Sequence, residues 1–252
     1  MIYTDQLNRN IVLPSSPQRI VSLVPSQTEL LVDLGLVDRI VGITKFCVHP
    51  KHLLKTKTIV GGTKNYRFEV IQGLKPDLII ANKEENEREG IEKLAKEYPV
   101  WISDITTLQD SFEMILGLGK MLDANEKASE IVFLLKSDFK ESFEKKGTAV
   151  YLIWNNPIMV AGKDTFINEM LSLAGFENKV TKSRYPTLTM EELKELNPNY
   201  LLLSSEPFPF KEKHLADFKK QFPEATVKLV DGEYFSWYGS RLLGASAYLK
   251  RI

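Results

Sequence analysis

The chain contains the same short pattern twice. "FEVIQGLKPDLII", starting at Phe68, and "MEELKELNPNYLLL", starting at Met190, superpose without a gap. Aligning Pro76 with Pro198 pairs Glu69 with Glu191, Ile71 with Leu193 and Leu74 with Leu196, and sets the apolar run 78–80 on 200–202. In each copy an acidic residue opens a stretch with apolar residues at a helical interval, a proline stops it, and a run suited to a buried strand follows. Each copy therefore predicts helix, tight turn and parallel strand. With 252 residues, the chain is long enough for two lobes near the usual domain size of roughly 100 to 150 residues.

The rest of the chain fits that duplication. "NRN" at 8–10 sits between alternating polar and apolar residues and predicts a small hairpin at the edge of the first lobe. "RIVSLVP" reads as a buried strand, "SQTELLVDLGL" as a helix with Ser26 as N-cap, Glu29 at the capping-box spacing and Gly35 at its C-terminus, and "DRIVGI" as a second strand. After the first repeat copy come a charged helix, "KEENEREGIEKLAKEY", a strand, "VWIS", and a helix over 107–122. Residues 124–146 predict one long helix capped by Asp123, which at 1.5 Å per residue would span roughly 35 Å. From Gly147 the pattern restarts: strand "TAVYLIW", helix "DTFINEMLSLAGF", the second repeat copy, a loop "SSEPFPFKEKH", strand "ATVKLVDG" and a last helix "SRLLGASAYLKRI". Alternating strands and helices demand parallel sheets. The fold expected is α/β, with two Rossmann-like lobes, 1–123 and 147–252, each around a mainly parallel sheet, joined by a helix at 124–146 and separated by a cleft.

Composition excludes several classes of function. Thirty-three basic residues balance 33 acidic ones, which gives no nucleic-acid footprint. With 43% hydrophobic and 26% charged residues nothing predicts disorder. Cys47 is the only cysteine, so no internal disulfide forms. The opening residues lack an apolar core of signal-peptide type, and no apolar run of about 18 residues exists. The expectation is a chain that neither spans a membrane nor carries an export signal as given, so that either a leader has been removed or the protein works inside the cell. "GLGK" at 117–120 lacks the rest of a phosphate-binding loop, no G-x-G-x-x-G follows a strand, and no G-x-S-x-G elbow occurs. With three histidines, a Ser-His-Asp or Cys-His arrangement has few ways to form, and no enzyme is expected.

"RIVSLVPSQTELLVDLGLVDRIVGIT", "LKPDLIIA", the helix at 124–146 and "FSWYGSRLLGA" together resemble the periplasmic binding proteins that deliver cobalamin, ferric siderophores or haem to ABC importers, in order from about Arg19 to the C-terminus. The segment "SLVPSQTELLVDLGL" and the tail look most like the cobalamin-binding branch. The resemblance implies a monomeric receptor in the periplasm or at the cell surface. It has no intrinsic cofactor, binds a corrinoid or related metal chelate between its lobes, and presents it to a dimeric permease. It also implies that one acidic residue per lobe docks on the permease, and those positions fall on Glu69 and Glu191. Alternatively, both glutamates merely favour a helix N-terminus.

Ligand sites between lobes are lined by aromatic faces and a few placed polar groups. The candidates come from loops after strands: Phe46, Lys64, Tyr66, Asn82, Trp154, Tyr185, Phe208, Trp237, Tyr238 and Arg241. Phe46, Thr63, Asn82 and Tyr185 match positions of aromatic ring contacts in the cobalamin receptor, and two of the four are not aromatic here. Trp237 and Tyr238 offer flat apolar area with a polar edge, and Arg241 a fixed fork of donors. The other reading puts Trp237 in the core and Arg241 in an ion pair that anchors the last helix. "FCVHPKH" holds Cys47, His49 and His52, which are weak metal-ligand candidates, since the only other histidine, His214, is in the second lobe. A cytoplasmic chaperone or sensor on the same scaffold is the competing function.

Overall fold

The structure, a computed structural model, describes residues 1–140 and 143–252. The chain forms two compact units. The first is Met1–Asp104, Gln109–Leu134 and Tyr238–Arg241, and the second is Ile105–Leu108, Leu135–Trp237 and Leu242–Ile252. The division departs from the simple sequence partition mainly in the tail. Residues 238–241 belong with the first unit because Tyr238, Gly239 and Arg241 bond to Glu85, Ser111 and Glu29 there.

The first unit opens with the expected hairpin, β1 (Ile2–Thr4) and β2 (Asn10–Val12), paired antiparallel. Its turn is closed by the buried Asp5, which accepts hydrogen bonds from the backbone of Leu7 and Arg9. Then come β3 (Ile20–Ser22), α1 (Pro25–Asp33), β4 (Ile40–Ile43), α2 (Leu53–Thr56), β5 (Thr58–Ile59), α3 (Phe68–Leu74), β6 (Leu78–Asn82), α4 (Arg88–Leu94), β7 (Val100–Ser103) and α5 (Leu108–Met121). The five strands β5-β4-β3-β6-β7 are all parallel. β3, β6 and β7 are buried at every position, as strands covered on both faces must be. Strand order reverses between β3 and β6, which makes this the topological switch point of the sheet.

α1 corrects one expectation. Ser26 is not its N-cap: Val24 occupies that position without a side-chain cap, and Pro25, whose fixed φ suits a first helical residue, starts the helix two residues earlier than a Ser26 cap would. Glu29, freed from capping, pairs instead with Arg241. Gly35 does close the helix in the left-handed region, at φ 81°.

The connecting helix is also shorter than its apolar spacing suggested. α6 runs Asn125–Asp138, and residues 143–146 are not helical; the expectation that Glu141 and Ser142 continue it lies outside the described residues. The Ser246 hydroxyl donates to the carbonyl of Asp138 and satisfies the helix end, while Lys146 N donates to Gly175 O and draws the chain toward the next strand. α6 begins in the first unit and ends in the second.

The second unit holds β8 (Gly147–Trp154), β9 (Ile158–Val160), α7 (Phe166–Leu173), β10 (Phe176–Asn178), β11 (Thr187–Leu188), α8 (Met190–Glu195), β12 (Tyr200–Ser204), α9 (Glu212–Gln221), β13 (Thr226–Val230), α10 (Glu233–Ser236) and α11 (Ala245–Arg251). Its sheet has the order β11-β9-β8-β12-β13, with β10 also on β8; β8, β10, β12 and β13 pair parallel, β9 is antiparallel to β8, and β11 is antiparallel to β9. Here the order turns back between β8 and β12.

The two repeat copies are α3–β6 and α8–β12, so both are helix, turn and parallel strand. The correspondence extends to details of the turn. Lys75 and Asn197, each just before the proline, both have left-handed backbones, at φ 48° and 42°. Asp77, just after it, accepts from Gln18 N at 2.7 Å and Arg19 N at 2.8 Å and so fixes the entry to β3. Asn199, its counterpart, accepts from Thr148 N and Oγ1, both at 2.9 Å, and fixes the start of β8. Ile71 and Leu193, paired by the alignment, are both fully buried, and truncating either to Ala would cost about 2–5 kcal/mol.

Candidate functional site

In a parallel sheet every strand ends on the same edge, so the loops that follow β3, β4, β5 and β6 share one rim of the first unit. Four predicted residues lie there. Phe46, 49% exposed, has the Lys45 ammonium 5.0 Å from its ring centroid. Its ring edge lies so close over Gly62 that a Cβ there would be 3.3 Å from Phe46 Cε2. Lys64 is exposed in the loop after β5. Tyr66 is half-buried, and its hydroxyl donates to Thr63 O at 2.6 Å and accepts from Glu87 N at 3.1 Å; burial pushes this phenol up to about 12.

Asn82 is buried, and its amide holds the loop after β6 together. The Nδ2 group donates to Ser103 Oγ at 3.0 Å, and Oδ1 accepts from the backbone of Glu84 and Glu85. That loop carries Glu85, which accepts the Tyr238 hydroxyl at 3.0 Å. Tyr238 is 4% exposed, and burial together with the nearby Glu85 raises its pKa, so the phenol stays protonated. Arg241 donates through Nε and Nη2 to both oxygens of Glu29, at 2.9 and 2.7 Å. Burial pushes the Glu29 carboxyl up, against the pull of Arg241 and of His49 in the other direction. Arg241 thus takes the ion-pair role, with a helix α1 residue as its partner.

Cys47 is fully buried and touches the hydroxyls of Thr28 and Thr44 at 3.1 and 3.3 Å; burial raises its pKa. A raised thiol is a poor metal ligand, since the thiolate is the ligating form. His49 lies in the same loop, partly exposed. Among the described residues no three His, Cys, Asp or Glu side chains converge as a metal set.

In the second unit the switch point gathers Trp154, at the end of β8, and Phe208, in the loop after β12. Their rings meet edge to face at 5.5 Å, and Phe208 N donates to Ile153 O at 3.3 Å. Trp154 is 38% exposed, so the pair presents aromatic surface to solvent. Trp237 sits at the end of α10, 7% exposed, its indole N–H donating to Glu206 Oε1 at 2.9 Å. Tyr185 is partly exposed, with Arg184 over its ring at 5.8 Å. A separate cavity of about 680 Å³, lined by Phe143, Gly147 and Phe176 among others, opens at the start of β8 and β10, the opposite end of the sheet.

Glu69 and Glu191 are both exposed in the first turn of their helices, and neither makes a hydrogen bond or ion pair among the described residues. In α8 the capping is done by Thr189 and Glu192, which leaves Glu191 uncommitted. Glu69 borders a cavity of about 200 Å³ with Phe68 and Lys93, whose ammonium stands 4.0 Å from the Phe68 ring centroid. Sequence reasoning named these glutamates and the aromatic residues Trp154 and Phe208; it did not name Glu206 or the pairing of Glu29 with Arg241. The only sequence signal for Glu206 was its place in the loop after the second repeat copy.

The family profile for periplasmic binding proteins matches residues 20–227. An uncharacterized ABC transporter substrate-binding lipoprotein of Bacillus subtilis is 30% identical over 79% of this chain and 67% of its own length. A vitamin B12-binding protein of Pectobacterium carotovorum is 25% identical over 91% of this chain and 86% of its own. Among solved structures, the periplasmic vitamin B12-binding protein of Vibrio cholerae superposes with a TM-score of 0.78 at 21% identity, covering 94% of this chain and 97% of that one. The chain belongs to the periplasmic binding protein family of ABC importers. Members of this family are solute-binding proteins rather than enzymes, and they work with a membrane permease. Among the described residues no helix is long and apolar enough to cross a membrane.

Proposed function

We propose that this protein is the receptor of an ABC importer for a corrinoid or a related metal chelate, working outside the cytoplasmic membrane. The observation that carries the reading is the exposed aromatic surface at the rim of each sheet: Phe46 in one unit, and Trp154 backed by Phe208 in the other. Large flat solutes are held by such faces, and both lie on loops after strands, where open α/β sheets bind ligands. The name of the Pectobacterium relative supports the corrinoid in particular. Glu69 and Glu191, one exposed and uncommitted carboxylate per repeat copy, are the residues assigned to permease docking. A pseudo-duplicated receptor meeting a dimeric permease needs one matching charge per half.

Titration of the protein with cyanocobalamin, read by quenching of Trp154 emission, tests the reading. Saturable quenching that a Trp154→Phe variant loses supports it. No saturable response to cyanocobalamin, haemin or a ferric siderophore overturns it.

A further inference from the structure

Glu206 follows β12 in the loop that carries Phe208, at the point where the second sheet turns back on β8. Its Oε1 accepts two hydrogen bonds, from Ser236 Oγ at 2.6 Å and from Trp237 Nε1 at 2.9 Å. The backbone around it is held as well. Ser204 Oγ donates to Glu206 O at 2.5 Å and accepts from Glu206 N at 3.2 Å and from the Tyr151 hydroxyl at 3.0 Å. Gly232 presses against the side chain, so that a Cβ there would lie 2.6 Å from Glu206 Cγ. Backbone and one oxygen are thereby fixed.

The other oxygen is different. Oε2 takes no hydrogen bond among the described residues, and the side chain is only partly buried, so this is the oxygen that meets solvent. The charged neighbours that bear on it, Asp231 and Glu233, are acidic, and burial adds to them in raising the Glu206 carboxyl. The Tyr151 phenol also lies near it. Among the described residues no ion pair offsets it, and a desolvated carboxylate kept without one is costly; such groups cluster at functional sites.

We propose that Glu206 is a solute-binding residue, which accepts an N–H or O–H donor of the solute on Oε2 and selects donor-bearing solutes over carboxylate-bearing ones. The inference rests on the receptor reading. Trp154 and Phe208 supply area, whereas the fixed carboxylate supplies direction. Because its geometry is set before the solute arrives, little ordering is lost on binding. A carboxylate on the solute would meet like charge in a poorly solvated place and be rejected.

The test compares wild type, Glu206→Gln and Glu206→Asp by calorimetric titration with cyanocobalamin, whose rim carries amides, and with haemin, whose rim carries carboxylates. Glu206→Gln keeps an acceptor for Ser236 and Trp237 and turns the free position into a donor; Glu206→Asp keeps the charge but withdraws it. The expected result is tighter binding of cyanocobalamin than haemin by wild type, and a loss of at least about tenfold for cyanocobalamin in both variants. Haemin should bind better to Glu206→Gln than to wild type, and the Trp237 emission of the free Gln variant should be unchanged. Saturable wild-type binding that neither variant alters overturns this inference alone. Failure of wild type to bind either probe overturns the receptor reading and this inference together.

Discussion

Arg241 and Glu29 form a two-point ion pair, 2.9 and 2.7 Å, between the chain's tail and its first major helix. Both side chains are mostly buried, at 18% and 17% exposed. Removing the guanidinium leaves the Glu29 carboxylate largely desolvated without its main partner, the situation in which breaking an ion pair costs about 3–5 kcal/mol. Arg241→Ala should therefore lower thermal stability well beyond the effect of a surface charge. Adding Glu29→Gln to it should restore part of the loss, and the double-mutant cycle measured by denaturant unfolding gives the coupling.

Glu206 makes a claim about pH. Burial holds its carboxyl above the usual carboxylate value in the folded protein. A carboxyl raised on folding gives stability that is fully present below its unfolded pKa and is lost as pH rises through the folded one. Melting curves between pH 4 and 7 should show wild type falling relative to Glu206→Gln as pH rises, leaving the variant the more stable of the two at neutral pH. Parallel curves would show that the carboxyl is not perturbed.

Lys75 holds φ 48° at the end of α3, where an L residue meets its own Cβ. Lys75→Gly should raise stability by about 0.5–1 kcal/mol, the strain relieved slightly exceeding the added freedom of the unfolded chain. At Asn197, φ 42°, the same change should gain less, since asparagine already tolerates this conformation. Chemical unfolding of the two single variants checks the order.

The carboxylates of Glu69 and Glu191 are exposed and uncommitted in both repeat copies. Replacing both with Ala should abolish uptake with the cognate importer in reconstituted vesicles while leaving solute affinity within about twofold. Each single change should lose less than the pair, because one matching charge remains. Full uptake by the double variant would leave the glutamates with only their macrodipole role.

The duplication and the strand-helix alternation were legible because they rest on local patterns that tertiary contacts reinforced. Ile71 and Leu193 fill equivalent core positions, and both prolines stop a helix where the sequence places them. What stayed hidden depended on partners distant in the chain. Ser26 with Glu29 has the capping-box spacing, yet Pro25 starts the helix and Arg241 claims the carboxylate. The apolar spacing of 124–146 continues past Asp138, but α6 stops there, where the Ser246 hydroxyl donates to its last carbonyl. The sequence puts the start of α9 in a loop and gives the rest of it no element, because its aromatic cluster of Phe208, Phe210, His214 and Phe218 makes sense only once folded. Glu206 gave no pattern at all, since its clamp is built from Ser236 and Trp237.

Each repeat copy descends along a helix and climbs back along a strand, so it finishes on the rim where it started. In the proposed receptor, a permease that reads the glutamate at the head of either helix would therefore stand next to the loops proposed to hold the solute.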